Sequence, residues 1–400
     1  MKKIIITLLL VLLTPFVSAK TPWEGYPYNS SEIPNDANPD YKILKHYLKK
    51  YIKDRQDRKG YKFKVKASKN FKKFNFNLKK DDFVNKQLNE TAMLSYLMYE
   101  NGNITVDEIT PKERFGKIFK NKTQYISNSV GKSLISYIAG HAICKGYISG
   151  INHRLNDWSV LENTLFYDQP IINLLNMSSG SQNYAHTVYG LLGSDRWVNS
   201  VSVQSIMKKE LKNSEIARLR YNYSNLDTNI VASYVLYKMG HKEFKNLLNE
   251  ILVDKVGIEH DLWLFKQVPS SKEATLTYSY YASRYDYLRI AVAMLEDWNR
   301  NTCEGQYLKS LFENRIKKID PSDPTAWTFV SLSDDGWGST STYGGQFHMD
   351  ITEMEDRPIF VMDGYGGQSH NIDFENNKII SIMAIHRDYD WMKLVHQKLK

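Results

Sequence analysis

The chain predicts an α+β fold: an antiparallel sheet flanked by helices, joined to an all-helical lobe. Three observations carry this. Asn101-Gly102 joins two apolar runs, residues 92–99 and 104–109, which is the pattern of a β-hairpin. Residues 160–315 are mostly helical by period. From Trp327 the texture changes to short strands that end in a helix. The early hairpin can join the late strands in one sheet, with the helical insert bulging to one side and a cleft between the lobes.

The first residues read as a secretory signal. Lys2-Lys3 precede an apolar run over residues 4–13, and Val17-Ser18-Ala19 is a small-residue cleavage site. The run is short for a bilayer span. The mature protein is therefore expected to be periplasmic or secreted, with residues 1–19 removed. Residues 38–52 predict a helix with Ile43, Leu44, Tyr47, Leu48 and Tyr51 on one stripe. Net charge is +9 overall, yet residues 41–80 alone hold sixteen Lys/Arg against two Asp, which leaves the rest acidic. Within this arm residues 61–66 alternate apolar and basic side chains like a strand with one wet face. Two readings of the arm stand side by side: a solvated lysine face, or a surface that binds an anionic envelope surface. Export argues against a nucleic-acid partner. Residues 20–90 thus form an N-terminal helix and basic arm, and residues 91–400 form the main domain. Its α/β lobe spans 91–160 and 325–400, and its helical lobe spans 161–324.

Within the helical lobe, residues 171–175, 226–239, 243–252 and 284–298 have helical period. Strands follow at 340–349, 358–363, 367–374 and 378–385, with Glu375-Asn376-Asn377 as a turn. Residues 388–400 predict a terminal helix that buries Trp391, Leu394, Val395 and Leu399. Cys144 and Cys303 are the only cysteines. Cys144 lies on an apolar helix and reads as a buried free thiol. Export would also permit a disulfide.

Ser129-Val130-Gly131-Lys132 is the stretch that points to chemistry. Residues at i and i+3 share a helix face, so the lysine amine can sit beside the serine hydroxyl and help to remove its proton. Ser205-Ile206-Met207-Lys208 has the same spacing, but it lies in a mostly polar amphipathic segment. Ser129 instead follows an extended Gln124-Tyr125-Ile126 and precedes the apolar stripe of Leu134, Ile135, Ile138, Ala139 and Ala142. Tyr223-Ser224-Asn225 offers a phenol, which serves as a base only beside a positive charge, and an amide to position lysine and substrate. Tyr99-Glu100-Asn101 repeats that tripeptide inside the hairpin turn, where asparagine has a structural reason to be. Tyr365-Gly366-Gly367-Gln368 offers glycines that permit close backbone approach. The N–H groups of Ser129 and Gln368 can then hold an oxyanion. His186, His348 and His370 lack metal-ligand spacing, and the chemistry calls for neither metal nor cofactor.

Ser-x-x-Lys, then Tyr-x-Asn about a hundred residues later, then a glycine-rich strand near the C-terminus resembles the penicillin-recognising serine hydrolases. The likeness is strongest to the class C β-lactamase branch, with its esterases and 6-aminohexanoate-dimer hydrolases. Leu174 to Gly180 resembles that family's Leu-Leu-x-Met-Thr-Ser-Gly stretch, and Asp286 with Arg289 its Asp-x-x-Arg helix. The resemblance covers roughly residues 91–400 and implies a β-lactamase/transpeptidase-like fold. It implies Ser129 as nucleophile, Lys132 as activator, Tyr223 as general base and Asn225 as positioning group. Tyr365, Gly366 and Gly367 match the third motif, where tyrosine replaces a cation that often binds the β-lactam carboxylate. The expected activity is cleavage of a small-molecule ester or amide through an acyl-enzyme. A D-alanyl peptidase or β-lactamase, or a non-catalytic relative that binds envelope polymers, is the alternative.

Overall fold

A computed structural model of the chain describes residues 33, 37–52, 60–181, 184, 201–266, 275–319 and 339–400. The signal segment, His186 and residues 325–338 lie outside the described residues. The fold is α+β, as the sequence predicts, and its strands form two sheets among the described residues.

The larger sheet is built around the predicted hairpin. Strand β3 (Met93–Glu100) turns through Asn101 (φ 46°) and Gly102 (φ 91°) into β4 (Asn103–Ile109). Positive φ at both turn residues is the geometry that Asn-Gly favours. The remaining strands are β2 (Asn75–Phe76), β8 (Ile316–Lys317), β9 (Thr340–Gly344), β10 (Phe347–Ile351), β11 (Ile359–Gly364), β12 (Gln368–Asp373) and β13 (Lys378–Ala384). Their spatial order is β2-β4-β3-β13-β12-β11-β10-β9-β8. The last strand in the chain therefore pairs with the first strand of the hairpin, from Lys378 opposite Glu100 to Ala384 opposite Met93.

Both faces of this sheet are covered. Along β11, Ile359 and Val361 join one apolar cluster while Phe360 and Met362 join the main core, the alternation expected of a strand. The first cluster is completed by α2 (Asp82–Glu90) and the C-terminal helix, Met392–His396 running into Gln397–Leu399. On the other side lies α3 (Val130–Cys144), buried from Val130 to Ala142. A helix that is apolar all round belongs inside a protein. Around it stand α4 (Ile171–Leu175), α5 (Val203–Lys209), α6 (Asn225–Asn249), α7 (Arg284–Arg300) and α8 (Cys303–Glu313). The two helices read at 226–239 and 243–252 form one run broken at Gly240 (φ 72°, ψ 163°), a conformation that suits glycine.

Two features differ from the sequence reading. The lobe at 161–324 is not all helical. It contains β6 (Leu262–Lys266) and β7 (Tyr280–Ala282), which form a small sheet in the order β1-β6-β7-β5 with β1 (Tyr61–Val65) and β5 (Tyr125–Ile126). Runs of five and three residues are too short for period to separate strand from helix. The edge of this sheet is the basic arm, with Phe63 opposite Leu264. Lys64 pairs with Asp261 at 2.8 Å, and the Arg289 guanidinium donates to the Lys72 carbonyl at 2.8 Å. The arm is thus stitched into the fold. The N-terminal helix α1 (Tyr41–Tyr51) buries its predicted stripe in the main core.

The second correction concerns the cysteines. Cys144 is not a free thiol: it is disulfide-bonded to Cys303, with Cα atoms 5.8 Å apart. Helices α3 and α8 pack so closely that a Cβ on Gly140 would meet the Tyr307 ring at 2.4 Å. That approach brings the end of α3 against the first residue of α8.

Candidate active site

Ser129 stands at the junction of β5 and α3. It caps the helix in αR conformation, and its hydroxyl makes no capping bond. The turn is held from the small sheet: the Ser127 N–H donates to the Tyr280 carbonyl at 2.8 Å, and Ser127 Oγ accepts from the Tyr280 N–H at 3.0 Å. Asn128, the residue before the serine, has a φ of 45°. Asparagine tolerates this left-handed conformation better than most residues. The carbonyls of Ser127, Asn128 and Ser129 receive the N–H groups of Val130, Gly131 and Lys132. The Ser129 N–H itself donates to no acceptor among the described residues.

The helix spacing delivers the lysine. Lys132 Nζ donates to Ser129 Oγ at 2.8 Å, and the side chain is almost wholly buried. Two aromatic faces enclose its ammonium. Tyr278 lies with its ring centroid 3.6 Å away and Tyr223 with its centroid at 4.8 Å. The Tyr278 hydroxyl donates to Asn225 Oδ1 at 3.0 Å. Ser129 and Tyr223 therefore meet around the Lys132 ammonium, and Asn225 is joined to them through Tyr278, although almost a hundred residues separate the two motifs. Ser224 caps α6 by accepting from the Asp227 N–H at 3.3 Å, which fixes the start of the helix that carries Asn225.

The third motif reaches the site through main-chain contacts. Asn128 Nδ2 donates to the Tyr365 carbonyl at 2.7 Å, and Gln368 Nε2 donates to the Ile126 carbonyl at 2.9 Å. The closest approach is made by Gly364, where a Cβ would lie 3.0 Å from the Ser127 carbonyl oxygen. Gly366 and Gly367 adopt φ of 87° and 86° and face the chain after β13, where a Cβ would meet Ile385 O and Tyr389 respectively at 3.0 Å. Their role here is the turn between β11 and β12. The Tyr365 hydroxyl, read from the sequence as a substrate contact, instead donates to the Ile33 carbonyl of the N-terminal segment.

Sequence reasoning gave four residues here no role in the site. Asn128 ties the turn that carries Ser129 to the third motif. Tyr278 is one of five tyrosines within residues 278–287, a group that reads by sequence as cleft lining or, more simply, as packing, until its ring is seen over Lys132. His348 on β10 stacks 6.5 Å from the Tyr223 ring, and burial holds it well below the usual imidazole range, helped by Lys318, Arg387 and Lys132. Asp227 is fully buried beside Asn225, and that desolvation pushes its carboxyl up to about 7. The Asn128 signal was available: a residue suited to positive φ directly before the serine. The others needed coordinates. Ser205 heads no site; its N–H caps onto Ser202 in α5.

Comparison with solved structures now has a geometry to stand on. A protein from Bacillus anthracis assigned as a 6-aminohexanoate-dimer hydrolase is similar with a TM-score of 0.58 at 14% identity, over 91% of this chain and 97% of that one. The octameric penicillin-binding protein homologue from Pyrococcus abyssi gives 0.54 at 13% identity, over 80% and 74%. The D-amino acid amidase of Ochrobactrum anthropi, complexed with L-phenylalanine, gives 0.53 at 13% identity, over 80% and 94%. This chain has the β-lactamase/transpeptidase-like fold of the penicillin-recognising serine hydrolases. Neither a protein-family model nor a curated protein matches its sequence.

Proposed function

We propose that the protein is a serine hydrolase that cleaves an ester or amide bond through an acyl-enzyme on Ser129. One observation carries the reading: Lys132 Nζ lies 2.8 Å from Ser129 Oγ on the first turn of a buried helix. Ser129 Oγ attacks the substrate carbonyl carbon and gives its proton to Tyr223, whose anionic form the Lys132 ammonium favours. The oxyanion that forms takes hydrogen bonds from the N–H groups of Ser129 and Gln368. Collapse expels the leaving group, which receives the proton from Tyr223. Water then enters by the same route and releases the acid.

Esters and linear amides suit this site better than β-lactams. Position 365 carries no cation, and its hydroxyl is turned to Ile33. Arg387 is held by Asp363 and the Gly364 carbonyl. The structural neighbours named as an amidase and as a 6-aminohexanoate-dimer hydrolase agree with amide chemistry. We further place the protein in the periplasm or outside the cell, where the Cys144–Cys303 disulfide would persist. Its arm carries Lys62, Lys66, Lys69, Lys73 and Lys79, all exposed and with no carboxylate in ion-pair range among the described residues. That face supports association with an anionic envelope surface.

Reaction of the purified protein with a fluorophosphonate probe tests the nucleophile. Labelling is expected in the wild type and absent in Ser129→Ala. Equal labelling and undiminished ester hydrolysis in that variant would refute the assignment.

A further inference from the structure

We infer that Tyr278 is a positioning residue of this reaction: its ring face holds Lys132 in the charged state while its hydroxyl aims Asn225. This role rests on the acyl-enzyme reading of Ser129.

The ring is the nearer of the two aromatic faces around the ammonium, at 3.6 Å against 4.8 Å for Tyr223. Lys132 is 1% exposed, so it has little water to solvate its charge. A π face is attractive to a cation and far less so to a neutral amine, and the attraction is strongest where water is excluded. Tyr278 therefore favours the protonated lysine. That same charge donates to Ser129 Oγ and favours the phenolate of Tyr223.

The backbone shows that this placement is built in. A Cβ on Gly131 would lie 2.2 Å from the Tyr278 carbonyl oxygen. Only a glycine in the x-x pair of Ser-x-x-Lys lets the 278 segment lie against the first turn of α3. From there β7 pairs with β5, with Ile126 opposite Tyr281, which fixes the Tyr278 segment beside the nucleophile turn. The phenol oxygen then reaches Asn225 Oδ1 at 3.0 Å. One side chain thus links the helix that bears Ser129 and Lys132 to the helix that begins at Asn225.

Among the described residues, the titratable and charged groups near Lys132 include Tyr223 before α6, Tyr278 before β7 and His348 on β10, with Lys318 and Arg387 acting on His348. Changing the ring at 278 leaves Tyr223 and His348 in the sequence as they are.

The test is the pH dependence of fluorophosphonate acylation and of p-nitrophenyl butyrate hydrolysis by the full-length protein. The basic limb of kcat/KM reports loss of the Lys132 proton. In Tyr278→Leu that limb should move down by about one pH unit, because a desolvated cation–π contact is lost. Tyr278→Phe keeps the face and loses the bond to Asn225. It should leave the limb in place and slow the reaction by roughly three- to tenfold. Phenylalanines with successive ring fluorines at 278 keep the shape while draining the π face, so the limb should step down with each fluorine. A limb that ignores fluorine number, or that shifts equally in the Phe and Leu variants, overturns the role. If the wild type reacts with neither probe, the acyl-enzyme reading fails instead. The ring's effect is then read from the 15N NMR titration of the Lys132 amine. A lower midpoint in Tyr278→Leu supports it and an unchanged midpoint overturns it.

Discussion

Asp227 should make the protein less stable as pH rises, and Asp227→Asn should abolish that dependence. The carboxyl sits fully buried in the first turn of α6. Its Oδ1 accepts from Ser179 Oγ at 3.1 Å, and its Oδ2 has no partner among the described residues. Desolvation raises its pKa from 3.8 to about 7, with the Ser179 and Ser224 hydroxyls offsetting part of the rise. Between those values the unfolded chain carries a carboxylate while the folded chain still holds the proton. Folding stability from this group is fully present below pH 3.8 and is lost as pH rises through about 7. Each pH unit in that window costs about 1.4 kcal/mol, so from pH 5 to pH 8 the loss is roughly 2.5 kcal/mol. Guanidinium unfolding of wild type and Asp227→Asn at pH 5, 6, 7 and 8 measures it. Other titrating groups are common to both chains and cancel in the difference. The variant should gain on the wild type as pH increases. A difference that stays constant across the four pH values would show that the carboxyl is not held in its neutral form.

Two further outcomes follow from the fold. The Cys144–Cys303 bond closes a loop with a sequence separation of 159 residues. Restricting so long a loop in the unfolded chain is worth up to about 5 kcal/mol, so Cys303→Ser should lower Tm by many degrees, and an unchanged Tm would show that the cross-link contributes nothing. The lysine face should bind phosphatidylglycerol vesicles in a cosedimentation assay at 50 mM salt and largely release them at 300 mM, since screening shortens the reach of exposed charges. Binding that ignores salt, or that survives Lys→Gln changes at 62, 66, 69, 73 and 79, would remove the electrostatic basis of that association.

The sequence made much of the large sheet legible because its signals are local. Asn101-Gly102 dictates a turn whatever surrounds it, and the strand alternation of Ile359 to Met362 survives because both faces of β11 are covered by different helices. The break in α6 was legible too, since Gly240 separates two runs of good helical period. What stayed hidden is set by partners distant in sequence. Strand β6 is a strand because the basic arm lies beside it, with Tyr61 opposite Lys266 and Val65 opposite Leu262. Cys144 gives no local sign of its bond, because only the packing of α3 on α8 brings Cys303 to it. In the candidate site, Ser129 and Lys132 could be paired by helix spacing alone. Tyr278 could not, because what distinguishes it from Tyr280 or Tyr281 is the direction of one ring.

The contacts that hold the Ser129 turn depend little on side-chain identity. Three of the acceptors that fix the turn are main-chain carbonyls: Tyr280 for Ser127, Tyr365 for Asn128 and Ile126 for Gln368. A carbonyl offers the same oxygen whatever its side chain, so the identities at 126, 280 and 365 are released from the chemistry. Tyr365 shows the freedom in use, because its side chain reaches Ile33 while its carbonyl still receives Asn128. Side-chain identity is demanded only where a donor, a charge or a missing Cβ does the positioning, as at Asn128, Lys132, Gly131, Gly364 and Gln368. The same logic locates the sensitive positions. Replacing Asn128, which supplies the donor, should disturb Ser129 more than replacing Tyr365, which supplies only its backbone.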